Sequence, residues 1–407
     1  LRKKMLYTLI MIAIFRLGTA IPVPGIDKSK LATLFAGDDG LLGFFNLMSG
    51  GAFKNFTIFA LGISPYITAS IIVNLLTIAF PTLEAISKEG PEGRKKLTQY
   101  TRYGTVILAL IQAFGISVGL FRNAFINYDS FSVFVSIITL TAGTAFLMYL
   151  GEKITENGIG NGISLFIFAG IIGRFPTGVL STFGKFQNGE VGILNILLFG
   201  VIIVAVIVSV IYIQQGTRKV PVQYAKRVVG RKMYGGHSTH IPLKVNQAGV
   251  IPVIFAVSIL MFPLTIAQFW PTGSVYTWLQ ANMGPQSVFY NLLYVIFIIF
   301  FTYFYTAVTF NPIEVAANMK QNGGFIPGIR PGKPTSDYLQ KTLNRITVAG
   351  ALFLAAIAVL PTVLLAFSEL QISFGGTPLL IAVGVALETT KQIEAQMVMR
   401  HYQGFLK

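Results

Sequence analysis

Long apolar runs, separated by short polar or Pro- and Gly-rich breaks, follow one another along the whole chain. Each run is about 20 residues long, which is the length that an α-helix needs to cross the hydrocarbon core of a bilayer. The pattern therefore predicts an all-α polytopic membrane protein with about ten transmembrane helices. The predicted spans are residues 4–22, 57–79, 103–121, 132–150, 162–180, 192–213, 247–267, 287–310, 346–366 and 376–396.

The composition agrees with a chain that is mostly embedded in lipid. Hydrophobic residues make up 53% of the 407 residues and charged residues only 11%, against roughly 25% charged residues in a soluble globular domain. The chain has no Cys and three His, which excludes disulfides and thiolate metal sites and leaves little for a histidine-rich metal site. We therefore predict no cofactor.

The basic residues are divided unevenly between the two sides of the predicted bundle. An even number of spans places both termini on one side, and 24 of the 31 Lys and Arg residues lie in the termini and loops of that side, against six on the other. In membrane proteins the cytoplasmic loops carry the excess of Lys and Arg. Both termini are therefore predicted to be cytoplasmic, and nearly all of the net charge of +16 faces the cytoplasm.

Two long cytoplasmic loops, residues 214–246 and 311–345, hold more positive charge than topology alone requires. Arms of this kind can dock an acidic soluble partner, anionic lipid head groups or structured RNA, and the sequence leaves these three open. The first loop has no acidic residue. Its basic residues are Arg218, Lys219, Lys226, Arg227, Arg231, Lys232 and Lys244.

Residues 23–56 are too apolar for a simple external loop and have no run long enough to span. Gly40, Gly43, Gly50 and Gly51 are interspersed with large apolar side chains. Apolar backbone at that depth is tolerated only inside protein or against a cavity. We therefore predict a re-entrant piece, a short mobile helix that closes a central cavity. A hairpin lying on the membrane surface is the alternative interpretation.

The second and seventh spans differ from their neighbours. The second contains Ser64, Thr68 and Asn74, and a helix with such a mixed face usually looks toward protein or a wet path. Pro252 and Pro263 are predicted to interrupt the seventh span. Prolines that kink helices are common in membranes, so composition alone favours neither a gating role nor ordinary packing.

Charged side chains are nearly absent from the predicted spans. Only Arg16 lies clearly inside one, where it either snorkels outward or pairs with polar groups of neighbouring helices. A proton-coupled transporter keeps ionisable side chains near the midplane, so this pattern argues against one. The Gly-rich segments 90–98 and 158–162 lack the phosphate-loop and dinucleotide signatures. We predict that the chain is not an enzyme.

Short distinctive strings cover nearly the whole chain in order. They are FRLG (15–18) with PVPG (22–25), ALGISPYITASI (60–71), KEGPEGRKK (88–96), QYTRYGT (99–105), GIGNGIS (158–164), STHIPLKVN (238–246), AGVIP (248–252) and FIPGIRPG (325–332). Each string is moderately specific, and their combination is highly specific. Together they resemble the SecY family, whose members form the channel of the bacterial Sec protein translocase.

The resemblance implies ten helices in two pseudo-symmetric inverted halves with a re-entrant plug helix. The halves are residues 1–180 and 192–407, hinged at the external loop 181–191. They form an hourglass whose waist is a ring of branched apolar side chains, which dewets when empty and seals around a passing chain. By motif position the ring is Ile63, Ile67, Ile167, Ile254 and Ile381.

The same resemblance implies a plug and a lateral gate. The plug is roughly residues 41–52, external to the ring, with the apolar side chains Leu41, Leu42, Phe44, Phe45, Leu47 and Met48. The lateral gate lies between the second and seventh spans, with the third and eighth, and lets a signal sequence or membrane helix exit into lipid. Its candidate residues are Ser64, Thr68, Asn74, Asn246 and Pro252.

The resemblance also implies a function, namely the central subunit of a passive protein-conducting channel in the bacterial plasma membrane. Such a channel translocates unfolded secretory polypeptides and releases hydrophobic segments into lipid. The expected partners are SecE, SecG, the motor ATPase SecA, the ribosome, signal-sequence-bearing preproteins and anionic lipids. Docking of the motor or the ribosome is assigned to Arg218, Lys219, Lys226, Arg227, Arg231, Lys232 and Arg330.

Two other function classes are weighed against the channel. A small-solute secondary transporter predicts specific polar or charged side chains at the midplane, where this sequence offers an aliphatic face. An intramembrane enzyme lacks its catalytic residues in this sequence. The transporter is therefore the alternative function.

Overall fold

The computed structural model describes residues 1–27, 29–31, 46, 49–189, 192–224, 227–229, 232–234, 238–267, 273–284, 287–367 and 376–405. Most of these residues are helical. The helices are α1 (Arg2–Gly18), α2 (Ser64–Ala79), α3 (Pro81–Lys88), α4 (Pro91–Gly115), α5 (Ser130–Asn157), α6 (Gly162–Ile172), α7 (Phe175–Gln187), α8 (Ile193–Gln215), α9 (Ile251–Ala267), α10 (Ser274–Asn282), α11 (Val288–Thr309), α12 (Pro312–Gln321), α13 (Lys333–Phe367) and α14 (Gly376–Phe405). Helix α4 continues into a π-helical turn, Ile116–Leu120, and a 3₁₀ turn, Arg122–Ala124.

Each of the ten predicted spans contains a helix, so the all-α polytopic prediction is confirmed. Within the described ranges, six helical segments are long and apolar enough to cross a membrane, and the bent pair α2 and α3 makes a seventh. Helices α1 and α9 are shorter, at 17 residues each, and α14 is the helix of the tenth predicted span. The chain is a multi-pass membrane protein.

The second predicted span is helical only from Ser64 onward. Residues 58–63 form a series of turns, and α2 begins with Pro65 in its first turn, where proline removes no helical hydrogen bond. At the other end, Phe80 is extended (φ −113°, ψ 118°), because a following proline, here Pro81, disfavours the helical conformation. The chain axis therefore bends by 102° between α2 and α3.

The prediction that two prolines interrupt the seventh span is wrong for Pro252. The helix begins at Ile251, so Pro252 is its second residue, where the missing N–H is one that a helix leaves unpaired anyway. Pro263 does lie inside α9. Asn246, a predicted gate residue, lies in the bend that precedes the helix.

The fifth predicted span is broken into two helices. Helix α6 ends at Ile172, and Pro176 in the first turn of α7 has no N–H to donate to the Ile172 carbonyl, so one continuous helix is not formed. Helix α7 then extends to Gln187. The segment 181–191, predicted as an external hinge loop, is therefore helical as far as Gln187, and its role as a hinge stays a prediction.

The two long basic loops join in a small β arm, which the hydropathy pattern did not indicate. Strand β1 (Thr217–Tyr224) pairs antiparallel with β4 (Ser238–Lys244). Between them in the chain, β2 (Arg227–Val229) pairs with β3 (Lys232–Tyr234). Strand β1 also pairs with β5 (Gly324–Phe325), which belongs to the second loop. One sheet therefore ties both basic loops together.

The β arm has a hydrophobic core of its own. Val220 and Val222 are two residues apart on β1, so they lie on the same face of the sheet, and both are buried. They pack with residues of the second loop and of α12 and α13. The cluster consists of Val220, Val222, Leu243, Met319, Ile326 and Leu339.

The helices that the structure describes form two groups, and the two groups also contact each other. Helices α1 to α6 pack on one another, and so do α8, α9, α11, α13 and α14. Across the groups, α6 packs on α14, and both α2 and α4 pack on α9. Near the start of α6, the Gly160 N–H donates to Gln392 Oε1 of α14 at 2.8 Å. The grouping is compatible with the predicted halves, whose inverted symmetry stays a prediction.

Gly143 of α5 marks a close approach that predicts a stability difference. A Cβ at this position would lie 1.9 Å from the Ile58 carbonyl oxygen, whereas a Cβ at Gly200 of α8 meets nothing within 4 Å. Because backbone must shift to admit the methyl group, we expect Gly143→Ala to lower the stability by about 1–3 kcal/mol. Gly200→Ala should leave stability unchanged or raise it slightly. Thermal unfolding of both purified variants in detergent measures the difference, and equal unfolding temperatures would contradict the close approach.

Candidate pore and lateral gate

The five predicted ring residues lie in one buried hydrophobic cluster. Ile63 caps α2 and Ile67 lies in its first turn, while Ile167, Ile254 and Ile381 come from α6, α9 and α14. Each exposes 5% or less of its surface. The structure therefore brings together side chains from four separate helices, which extend in the chain from Ile63 to Ile381. Their role as a pore ring stays a prediction.

A small cavity lies against this cluster. Its volume is about 20 Å³, which is room for about one water molecule. The wall includes Ile63, Ile67 and Ile167 of the predicted ring, Ser49 of the predicted plug, and Val257 and Met261 of α9. The space is far too small for a polypeptide.

Three residues of α9 at this cavity were missed by the sequence analysis. Val257, Ser258 and Met261 follow Ile254 at spacings of three, four and seven, which place them on one helical face. Ser258 is buried, but its hydroxyl donates to the Ile254 carbonyl at 2.9 Å, so it presents no unpaired proton to the cavity. The periodicity was a signal in the sequence, although every residue of this span is a good candidate for lipid contact as well.

The predicted gate residues on α2 occupy different environments. Ser64 is half-buried and lines the cavity opposite α9. Thr68 is buried, and its hydroxyl donates to the Ser64 carbonyl at 3.1 Å. Asn74, two turns further along, is exposed. The structure thus brings Ser64 to the contact between α2 and α9, whereas it leaves Asn74 at the surface.

The predicted gate residues at the start of α9 are both buried. The Asn246 side-chain amide donates to the Gly249 carbonyl at 2.8 Å. Its Oδ1 atom is buried and accepts no hydrogen bond from the part of the chain that the structure describes. Pro252 lies in the first turn of the helix.

The predicted plug is described only at its C-terminal end. Leu41, Leu42, Phe44, Phe45, Leu47 and Met48 lie outside the described residues. Asn46 and Ser49 hold a tight turn, in which Asn46 Oδ1 accepts from the Lys54 N–H at 3.0 Å. The Ser49 hydroxyl donates to the Asn46 carbonyl at 3.2 Å and accepts from the Phe53 N–H at 3.0 Å. This network fixes the chain where it leaves the predicted plug.

The predicted docking residues that the structure describes are exposed. Arg218 and Lys219 project from β1, and Arg330 lies in the turn between β5 and α13. The Arg330 carbonyl accepts from the Thr335 hydroxyl at 2.9 Å, which fixes the backbone at that point. Lys226 and Arg231 lie outside the described residues, and Arg227 and Lys232 are described only as backbone of β2 and β3.

Comparison with known proteins agrees with this geometry. A model of the SecY family matches residues 57–390. The chain belongs to the SecY family. A family member from Halalkalibacterium halodurans, protein translocase subunit SecY, is 51% identical over 420 residues, which cover 100% of this chain and 97% of that protein.

Solved structures of SecY and Sec61 channels share the fold. A SecY structure reported for a plug domain that stabilises the closed state of the translocation channel and maintains a membrane seal has a TM-score of 0.69 and 21% identity. Sec61 in the canine ribosome-channel complex has a TM-score of 0.61 and 20% identity. Both likenesses cover 97% of this chain and 92% of the other. The SecY fold of this chain is thereby established.

Proposed function

We propose that this chain is the central subunit of a gated protein-conducting channel. It moves unfolded secretory polypeptides across the membrane and releases hydrophobic segments sideways into lipid. The observation that carries the proposal is the buried cluster of branched aliphatic side chains at the meeting point of α2, α6, α9 and α14. The homology of the chain to a protein translocase subunit supports the same function.

The aliphatic ring acts as a deformable hydrophobic seal. Branched apolar side chains exclude water when no substrate is present, and they carry no fixed charge that would trap a passing chain. They also tolerate side chains of different sizes, because packing against them depends on no specific hydrogen bond. The five isoleucines close the resting channel and form a deformable seal around the translocating polypeptide.

The contact between α2 and α9 is the proposed lateral exit. These helices belong to different groups, so they can separate without breaking the packing inside either group. A gate helix must face protein when the gate is closed and an amphipathic substrate segment when it is open. The polar side chains of Ser64 and Thr68 suit such a face. The two halves, residues 1–180 and 192–407, pivot about residues 181–191.

A small-solute transporter is not supported. The buried polar residues in the described ranges are Ser, Thr, Asn and Gln, with no Asp, Glu, Lys, Arg or His among them. An ion-coupled transporter needs ionisable groups at its coupling site. Energy for translocation is therefore assigned to a partner of the channel rather than to the chain itself.

The basic face indicates where those partners bind. We assign the β arm to the cytoplasm of a bacterial cell, with both termini on the same side, since Lys and Arg concentrate there. The arm docks the SecA motor or the ribosome, and the Sec61 neighbour in a ribosome-channel complex supports this assignment. SecE, SecG and anionic lipids of the plasma membrane complete the assembly.

Disulfide trapping tests the proposed polypeptide path. The chain has no Cys, so a single Cys at Ile67 can be combined with a single Cys in a stalled, signal-bearing substrate. We expect an efficient crosslink that depends on the motor or the ribosome, because the ring touches the translocating chain. The measurement is the fraction of substrate shifted to the crosslinked mass in reconstituted membranes.

A Cys at Val201 provides the control for this experiment. Val201 lies on α8 with 69% of its surface exposed, and it should not crosslink to the substrate. Failure of Ile67 and of neighbouring ring positions to crosslink, despite proven substrate engagement, would contradict the proposed path. Equal crosslinking at Val201 would contradict it too.

A further inference from the structure

Arg16 makes a contact that the proposed channel mechanism does not use. It lies in the last turn of α1, within a predicted span, and its Nη1 atom donates to the Gly50 carbonyl at 3.1 Å. Gly50 belongs to the C-terminal end of the predicted plug. The sequence left open whether Arg16 snorkels outward or pairs with neighbouring polar groups, and the structure shows that it pairs.

Three glycines, Gly50, Gly170 and Gly173, surround the Arg16 guanidinium or pack next to it. A Cβ at Gly173 would lie 0.9 Å from Arg16 Nη2 and 2.0 Å from Arg16 Cζ, so the guanidinium occupies the place that any other side chain would take. Gly50 has a φ of +67°, and a Cβ there would lie 3.0 Å from the Gly170 Cα. The plug end therefore packs directly on α6, with the Arg16 side chain between Gly50 and the break that follows α6.

The charge of Arg16 fits this position. Gly173 is the C-cap of α6, and the C-terminal end of a helix carries partial negative charge that favours a cation. In the ranges that the structure describes, Arg16 takes part in none of the salt bridges. Its specific acceptor there is thus the Gly50 main-chain carbonyl of the predicted plug, and a partly buried Arg deprived of this acceptor loses a charge-assisted hydrogen bond.

We infer that Arg16 is a positioning residue for the plug, and we call its contact with Gly50 and Gly173 the Arg16 clasp. The clasp holds the C-terminal end of the plug against α1 and α6 in the resting channel. Displacement of the plug breaks the hydrogen bond to Gly50, so the clasp biases the equilibrium toward the closed state. This inference rests on the proposed function. It adds that Arg16 influences the equilibrium between the closed and the displaced positions of the plug.

Two single substitutions remove the clasp by different routes. Arg16→Met deletes the donor, and Gly173→Ala fills the space of the guanidinium at a residue whose φ of −66° any side chain can adopt. Since a charge-assisted hydrogen bond contributes enough to shift an equilibrium roughly tenfold, we expect each variant to raise the resting ion conductance by about that factor. The measurement is ion efflux from liposomes that contain the reconstituted complex without substrate.

Gly184→Ala is the matched control. Gly184 lies on α7, and a Cβ there meets nothing within 4 Å, so its conductance should equal that of the parent. The Arg16→Met/Gly173→Ala double variant should leak no more than the leakier single variant, because both changes remove one contact. Additive leaks would overturn the clasp, and so would a leak in Gly173→Ala with none in Arg16→Met. If Arg16→Met fails to assemble, Arg16→Leu, which also lacks a donor, replaces it in the cycle.

The outcomes separate this inference from the proposed function. A tight Arg16→Met channel, together with an Ile67 crosslink to substrate and an ion leak when the ring residues Ile67 and Ile254 are replaced by glycine, overturns the clasp and leaves the proposed channel function intact. Absence of both the ring leak and the crosslink overturns the channel itself, and the clasp with it. A leak in both clasp variants but not in Gly184→Ala supports the inference.

Discussion

Replacing Ile67 and Ile254 by glycine is expected to raise the resting ion conductance of the channel well over tenfold. Truncating a large buried aliphatic side chain costs about 2–5 kcal/mol of packing, and each 1.4 kcal/mol is about a factor of ten in an equilibrium. Both side chains are 95% buried in the central cluster, where the existing cavity of about 20 Å³ holds about one water. Removal of the two side chains enlarges this cavity across the predicted pore ring and lets water enter. Conductance of planar bilayers with the purified complex measures the effect.

The control for the ring variant uses the same helices and the same substitutions. Ile72 of α2 and Ile266 of α9 expose 40% and 43% of their surfaces, so Ile72→Gly with Ile266→Gly changes helix propensity without opening the cluster. We expect this variant to conduct like the parent. Unchanged conductance in Ile67→Gly with Ile254→Gly, in a correctly assembled complex, would remove these residues from the seal.

Reversing the charge at Arg330 is expected to reduce partner-driven translocation by about tenfold or more, while the protein still inserts into the membrane. Arg330 is exposed on a turn whose backbone is fixed by the Thr335 hydroxyl. Its guanidinium is thus carried on a fixed backbone and is accessible to a partner, and loss of a specific charge contact at an interface typically costs 2 kcal/mol or more. The readout is the rate at which a preprotein becomes protease-protected in vesicles that carry the Arg330→Glu variant.

Lys341→Glu separates position from net charge in this experiment. Lys341 is an exposed residue of α13 on the same basic loop, and its reversal changes the net charge by the same amount. We expect near-normal translocation in this variant. Equal losses in the two variants would show that overall charge rather than Arg330 guides docking, and a normal rate in Arg330→Glu would exclude it from the docking surface.

The hydropathy pattern predicted the helices well because a span must be long and apolar wherever it packs. It was less accurate at helix ends, where single prolines decide. Pro252 starts a helix that it was predicted to interrupt, and Pro176 divides the fifth span, because proline lacks an N–H and its effect depends on its position within the helix. The hydropathy pattern also gave no sign that β1 and β5, about 100 residues apart, pair in one sheet.

The candidate site was predicted from motif position rather than from periodicity. In the sequence, Ile67 and Ile254 cannot be told from lipid-facing residues, since most positions of a membrane helix are apolar whether they face lipid or protein. Arg16 was recognisable as unusual, because charge inside a span is costly. The sequence did not reveal which group accepts its hydrogen bond, because the acceptor is the main-chain carbonyl of Gly50 and every residue has such a carbonyl.

The sequence by itself was enough to identify a mostly helical, multi-pass membrane protein and its family, because these follow from local length, composition and strings of neighbouring residues. Only the tertiary structure decided which apolar side chains meet in the central buried cluster, that two basic loops share one sheet, and that Arg16 donates to the Gly50 carbonyl beside Gly173. These are contacts between distant segments. Their free energy depends on shape and distance in three dimensions, which local sequence does not encode.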